Sequence, residues 1–443
     1  MKMLKYLRIP ALILALLMLV CCFFACDGAN TDATDGTDEP TNAPTEAPTE
    51  KPTETDAPDT REPNIVFSED FGKYSVIVDD SADSELKTLA KNLTDTLNSC
   101  WKVTATLVTD KNTEASAYEI LVGATDRPES EEFIDSLNDG ECGFKVIGRK
   151  IVIAGSDDRY TETAVVLFAN FVLLDKDVTV RKYMTEKSTK IVDATDMISV
   201  MSYNVKVGNS DNNPAGVTTM IRNYMPDILG VQEADGEWMR VLNNRLSKNG
   251  YAYVGIGRDS DGKEERSAIF YRADKLELIE SKTLWLSATP DVVSKVEGAL
   301  CNRIVTMATF KRVSDGKVFV HANTHLDHSN SDVRSQQVKF LDQYVKEFAD
   351  GKQFLLTGDF NFQPDNRVYD QMMNLGYKNC GQLAEYARGR DDDTYTGGSM
   401  IDFCFRYGGT EFQPYFYTVC DELIGGKTPS DHHPIFLIVE LIN

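Results

Sequence analysis

The sequence predicts an α/β protein: two packed sheets with outer helices in a sandwich, preceded by a small α/β domain. Three observations lead there. From Ile198 onward, short apolar runs alternate with a few amphipathic helical stretches. Before them, residues 64–195 combine helix-spaced leucines with apolar runs closed by glycine. The chain has 443 residues and 42% hydrophobic content, enough for two globular cores.

The N-terminal end sets the expected location. Lys2, Lys5 and Arg8 precede an apolar stretch over residues 9–25, so residues 1–25 read as a signal peptide. A retained anchor helix is the alternative, because the stretch is about as long as a short membrane span. Phe23-Phe24-Ala25-Cys26 resembles a bacterial lipobox with Cys26 lipidated, although Phe23 departs from the usual leucine and Cys21 and Cys22 compete. After Cys26 the chain to Pro63 is nearly all Thr, Asp, Glu, Pro, Ala, Gly and Asn. Such a segment cannot bury enough surface to offset its ordering entropy, so residues 26–63 are expected to be a lipidated, extended tether. The expected product is an extracytoplasmic bacterial membrane lipoprotein, with a secreted form as the alternative.

Residues 64–195 form the expected small domain. Leu86, Leu89, Ala90, Leu93 and Leu97 recur at helical spacing. Residues 118–123 and 150–155 read as strands, and a second helix is expected over residues 160–174. Residues 118–129 resemble stretches of the small α/β domains that precede catalytic barrels in some bacterial glycoside hydrolases. The region holds no histidine and no carboxylate cluster, so no chemistry is assigned to it; it is a packing domain or a carbohydrate- or surface-binding one.

Residues 196–443 form the second domain. Strands are expected at residues 198–203, 228–231, 268–271, 304–310, 318–322, 354–356, 401–405 and 435–439. Helices are expected at residues 216–224, 236–248, 332–348 and 368–375.

A formal net charge of -23 argues against a general nucleic-acid binder, which carries a basic face for phosphates. Cys100, Cys142, Cys301, Cys380, Cys404 and Cys420 contain no Cys-x-x-Cys pair, so no zinc site is indicated, and their disulfide state stays open.

All 5 histidines fall in two short stretches, His321-Ala-Asn-Thr-His325-Leu-Asp327-His328 and Ser430-Asp431-His432-His433-Pro434. Between them lies Gly358-Asp359-Phe360-Asn361. Asn204, Gln232-Glu233, Thr324-His325, Asp359 and Asn361 stand where apolar runs stop; Asp402 interrupts one, and Asp431-His432 precedes the last. Loops converge at one edge of a sandwich, so these groups could share a cleft. Imidazoles beside carboxylates suit general acid–base or metal chemistry.

Together with Ser202-Tyr203-Asn204, Asp227-Ile-Leu-Gly-Val-Gln-Glu233, Ile401-Asp402-Phe403 and the histidine stretches, the order resembles the endonuclease/exonuclease/phosphatase superfamily of metal-dependent phosphoester hydrolases. The resemblance covers residues 198–442 and implies a deoxyribonuclease-like sandwich. Leu284-Trp285-Leu-Ser-Ala-Thr-Pro290 also looks like a bacterial subgroup of it. The resemblance implies Glu233 as the acidic metal ligand, with Asn204 and Asp431 completing the shell directly or through water, and Mg²⁺ or Mn²⁺ as cofactor. It implies Asp359 as the base for the attacking water, Asn361 as a phosphoryl contact, and His432 as a phosphate donor held by Asp402. His325 acts on the other side, with Glu265 as its orienting carboxylate and Glu264 the neighbouring candidate. Arg303 matches a contact to the scissile phosphate. His433 reads as a supporting residue, while Asp327 and His328 touch substrate or metal or simply pack the loop.

The expected activity is a surface-anchored phosphodiesterase, nuclease or phosphatase. Nucleic acid, small sugar or nucleotide phosphates and lipid headgroups compete as substrates. No obligate protein partner is indicated. The alternative is a non-catalytic glycan- or partner-binding surface lipoprotein.

Overall fold

The computed structural model describes residues 66–111, 113–174, 183–184, 188–209, 213–259 and 264–442. Cys26, the apolar segment before it and the acidic tether lie outside the described residues. Among those described, no helix is long and apolar enough to cross a membrane.

Two sheets built from Met197 onward pack face to face. The first has seven strands, with Met197–Asn204 between the parallel Ile228–Gln232 and the antiparallel Ile435–Leu441. The second has six, with Val318–His325 between the antiparallel Ile304–Arg312 and the parallel Phe354–Asp359, which pairs in turn with Asp402–Tyr407. Side chains alternate along each strand. Ile198 and Val200 of the first sheet thus meet Ala308, Phe310 and Leu355 of the second in a shared core, while Val320, Ala322 and Leu356 face Val338 and Leu341 of the outer helix Ser331–Ala349.

The sheets approach each other closely at Gly230. A methyl group there would sit 2.5 Å from Thr357 Oγ1 and 2.7 Å from Asn323 Oδ1, so only glycine admits the approach. Polar groups cross the interface at this level: Gln232 Nε2 donates to Ser202 Oγ and to Asn323 Oδ1, and Asn323 Nδ2 donates to the carbonyls of Val231 and Ala268. Buried amides so bonded hold the register of one sheet on the other.

Ahead of the sandwich, a six-stranded sheet runs in the order Thr106–Thr109, Ser75–Val78, Glu119–Val122, Lys150–Gly155, Glu141–Ile147 and Lys190–Asp193. Helices Ser84–Trp101 and Asp158–Phe168 cover one face, and Pro128–Asp135 the other. The expected second helix therefore begins at Asp158, where Asp157 caps it, and its last part, Ala169–Leu173, is π-helical. The apolar core of this face continues into the sandwich's outer helices, and Asn92 Nδ2 donates to the carbonyl of Arg222. The described residues belong to one compact unit.

The expected strands and helices of the sandwich are all present, with shifted ends. Residues 318–322 extend to His325, and residues 354–356 extend to Asp359. Both polar residues are thus held inside the ladder rather than in loops after it. The described cysteines are free thiols.

Candidate active site

His325, Asp359 and Asp402 lie side by side, because they are directly paired residues at the ends of three adjacent strands: His325 opposite Asp359, and Asp359 opposite Asp402. On the other sheet, Asn204 is paired with Gln232, which places Glu233 just beyond the strand end. Glu233 has φ 58° and Asn361 φ 52°, a left-handed conformation that side chains other than glycine rarely take. Strained backbone of this kind concentrates at functional sites.

Asn204 joins the two sheets. Its buried Nδ2 donates to Glu233 Oε1 and to Asp359 Oδ2, both at 3.0 Å, while its Oδ1 accepts from the backbone of Lys206. Glu233 Oε2 accepts from the Val207 amide. Asp359 is 2% exposed. Its Oδ1 accepts from the Asn361 amide, and its Oδ2 lies 3.4 Å from His325 Nε2 and 3.7 Å from His432 Nε2. Burial, with the neighbouring Asp402 charge, pushes its carboxyl up to about 7, against the opposing pull of His432 and the hydrogen bonds from Asn204 and Asn361.

His432 is oriented by Asp402, whose Oδ2 is 2.8 Å from His432 Nδ1. Burial works against the ring's charge, but the Asp402 charge and hydrogen bond, with Asp359, outweigh it and push His432 up to about 10. His432 is thus a cation at neutral pH. His325 behaves oppositely: burial, then the Arg303 and Arg258 charges, hold it well below its ordinary value. Its Nε2 is 3.1 Å from Asn361 Nδ2, which also donates to the Leu326 carbonyl.

Arg303 immediately precedes the strand Ile304–Arg312 and is 3% exposed. Its Nη2 is 3.3 Å from His328 Nδ1, whereas its Nε and Nη1 have no hydrogen-bond partner among the described residues. Glu233, Arg303, His325, His328, Asp359, Asn361 and His432 line one cleft of about 410 Å³, together with Val207, Arg258, Glu265, Cys301, Tyr395, Ile401 and Asp431.

One expectation needs correction. Glu265 does not orient His325: its Oε1 and Oε2 take Arg258 Nη2 at 2.6 Å and Nη1 at 2.7 Å. The cause is local. Arg258 stands opposite Glu265 beside the Gly257–Arg266 bridge, and their backbones bond there too, so the carboxylate is committed to the nearer cation. Glu264 does not replace it, since its Oε2 is buried without a hydrogen-bond partner among the described residues. Asp327, left open between ligand and packing, is a loop residue: it accepts from the amides of Leu300, Cys301 and Ser329. His328 does line the cleft, and His433 bonds through its backbone to Thr394.

Asp431 pairs with Lys206 Nζ at 3.0 Å. Lys206, Arg258 and Tyr395 were not singled out from the sequence. Tyr395 packs its ring 5.1 Å from that of His432. Lys206 lies two residues after Asn204 and could have been suspected from that position; Arg258 and Tyr395 reach the cleft from loops that carry no periodic signal.

The donor set fits a divalent cation. Glu233, His325 and Asp359 present one ligand atom each within 4.8 Å of one another. Asp402 Oδ1 is buried with no hydrogen-bond partner among the described residues, so acceptor capacity is left over. Carboxylate oxygens with one imidazole suit a hard or borderline ion.

A two-sheet sandwich with such a cleft at its paired strand ends is a deoxyribonuclease-like fold carrying groups able to hold a metal. The chain belongs to the Endonuclease/Exonuclease/phosphatase family, which residues 201–432 match. It is similar to the crystal structure of the endonuclease/exonuclease/phosphatase from Bacteroides vulgatus, with 28% identity and a TM-score of 0.51 over 55% of this chain and 99% of that one. A family protein from Bacteroides thetaiotaomicron is 29% identical, with a TM-score of 0.50 over 55% of this chain and 97% of that one. Nocturnin of Drosophila melanogaster is 29% identical over 191 residues, 40% of this chain. Protein angel from the same organism is 33% identical over 150 residues, 32% of this chain. The match spans only 28% of Nocturnin and 40% of Protein angel.

Proposed function

We propose that the chain is a divalent-metal-dependent phosphoester hydrolase in which Asp359 activates the attacking water. One observation carries the reading: the directly paired row His325, Asp359 and Asp402 meets Asn204 and Glu233 of the opposite sheet at a single buried carboxylate.

A base is most useful when its pKa lies near the working pH, and Asp359, raised to about 7, is placed to take a proton there. Asn204 and the Asn361 amide fix both of its oxygens. His432, charged and held by Asp402, donates toward the phosphoryl group. Arg303 lines the same cleft and brings a positive charge to it. His325, kept neutral by its surroundings, is a hydrogen-bonding rather than a charged partner. A divalent cation bound beside Glu233 would supply Lewis-acid withdrawal of charge from the phosphoryl oxygens.

The test is hydrolysis of bis(p-nitrophenyl) phosphate and p-nitrophenyl phosphate with Mg²⁺ or Mn²⁺ and with EDTA. Metal-dependent turnover of either supports the reading. No turnover with any divalent ion favours the alternative of a binding protein. Extracytoplasmic anchoring through Cys26 is part of the same proposal and rests on the order of charge, apolar run and acidic spacer in residues 1–63. Mass spectrometry of membrane-extracted protein should find no peptide upstream of Cys26; an intact segment over residues 9–25 would remove the anchoring proposal.

A further inference from the structure

We infer that Cys380 and Cys404 are a disulfide-forming pair, which in an oxidising medium staples the edge segment at residues 378–383 to the strand that carries Asp402. Both are free thiols in this structure, and neither lines the cleft.

Backbone register brings them together. Lys378–Asn379 pairs antiparallel with Asp402–Tyr407, Lys378 opposite Arg406 and Asn379 opposite Phe405. One residue further along, Cys380 meets Cys404. Residues directly opposite in an antiparallel pair have Cα atoms about 4.5 or 5.5 Å apart, and a disulfide spans about 4.4–6.8 Å. Either spacing lies inside that window.

The side chains share one environment. Cys380 is 0% and Cys404 1% exposed, and both sit in the core between the two sheets with Leu355, Phe412 and Tyr417. Asn379 Oδ1 accepts from the Gly381 amide and so starts the single turn Cys380–Leu383. At Gly381 a methyl group would be 3.0 Å from Tyr417 Cε2, so glycine lets this turn settle onto the core. The thiols interact directly: the Cys380 hydrogen bond, then burial, hold the Cys404 thiol well above its ordinary value.

A thiol so held is a poor nucleophile while the core is closed. Opening is local, because residues 378–379 are a two-residue strand at the edge of the sheet and only a four-residue turn follows. The oxidant is a small-molecule or protein disulfide, the kind met in the extracytoplasmic location proposed above. The Cys380 thiolate attacks one sulfur of that oxidant and expels a thiolate, leaving a mixed disulfide. The Cys404 thiolate then attacks Cys380 Sγ and expels the second. Two protein thiols are oxidised, one oxidant disulfide is reduced, and the two protons end on the departing thiols.

The bond closes the chain over residues 381–403. That stretch holds Tyr395 of the cleft and Thr394, whose Oγ1 accepts from the amides of Ile401 and Asp402, both at 3.0 Å. The cross-link thus ties together the two roots of the excursion that presents Tyr395 and leads into Asp402.

In the experiment, full-length protein is held in glutathione disulfide or in dithiothreitol, then unfolded in iodoacetamide and digested for peptide mass mapping. Thermal unfolding is measured on the same samples. The oxidised sample should yield peptides linked through Cys380 and Cys404, and its Tm should exceed that of the reduced sample by about 5 °C. Cys380→Ala should lose both the link and the shift. Each variant is compared with its own reduced form, so the cost of the substitution cancels. Alkylation of both cysteines in the oxidised sample, even after unfolding and refolding in glutathione disulfide, overturns the inference, as does either one linked to a different cysteine. A link with no melting shift overturns the stapling. None of these readouts depends on turnover, so the phosphoester reading stands or falls separately.

Discussion

Asn204 at the end of one sheet donates its amide to Asp359 at the end of the other, 3.0 Å away, and to Glu233 at the same distance. One side chain thus holds two carboxylates of like charge in a common site and fixes the two sheets relative to each other where the chemistry is expected.

Removing that donor should change how the base titrates. The Asn204 hydrogen bond lowers the Asp359 pKa, so Asn204→Ala raises it and keeps the base protonated to higher pH. The acid limb of the kcat/KM profile should move to higher pH, with roughly a tenfold loss or more at pH 7. An unmoved limb would show that Asn204 does not act through Asp359.

The close approach of the sheets makes a separate prediction. Gly230→Ala would set a methyl group 2.5 Å from Thr357 Oγ1, and both sheets would have to shift. Overpacking of this kind typically costs about 1–3 kcal/mol, so thermal unfolding should drop by several degrees. Gly425→Ala is unsuitable as a control, since Gly425 has φ 60°. Gly72→Ala, where the nearest atom is at 3.7 Å, should be nearly silent.

His321 gives a pH dependence. The ring is fully buried between the sheets, bonded through Nε2 to Thr357 Oγ1, and burial pushes it down to about 3. Below its unfolded value near 6.5, the unfolded chain binds a proton that the folded chain refuses. Its contribution is complete above pH 6.5 and is lost progressively as pH falls toward 3. Between pH 7 and pH 4.5, denaturant unfolding of the parent should lose roughly 2 kcal/mol more than that of His321→Gln. Equal losses would mean that His321 is not the acid-sensitive group.

Particular residues show why some of this was legible in the sequence. Ile228–Gln232 and Ile435–Leu441 are buried along nearly their whole length, so uninterrupted apolar runs marked them. Leu276–Trp285 was missed because it is an edge strand whose middle residues are exposed on both faces, which leaves no alternation to read. Phe412–Val419 was missed because Pro414 interrupts it, and the ladder accommodates that proline with a register shift. In the site, the strand-end residues were legible because polar groups abruptly ending apolar runs are costly without a purpose. The partner of Glu265 was not, because it depends on Arg258 being folded directly opposite by a loop.

The most direct measurement is turnover and thermal unfolding of Asp359→Asn on one preparation. The substitution keeps the shape but cannot accept a proton from water, and it relieves the burial of a carboxylate beside Asp402. The account predicts a fall in activity of roughly 10²-fold or more with a melting temperature equal to or above that of the parent. A folded variant that stays within about threefold of parental activity would contradict it, since a general base contributes far more than that.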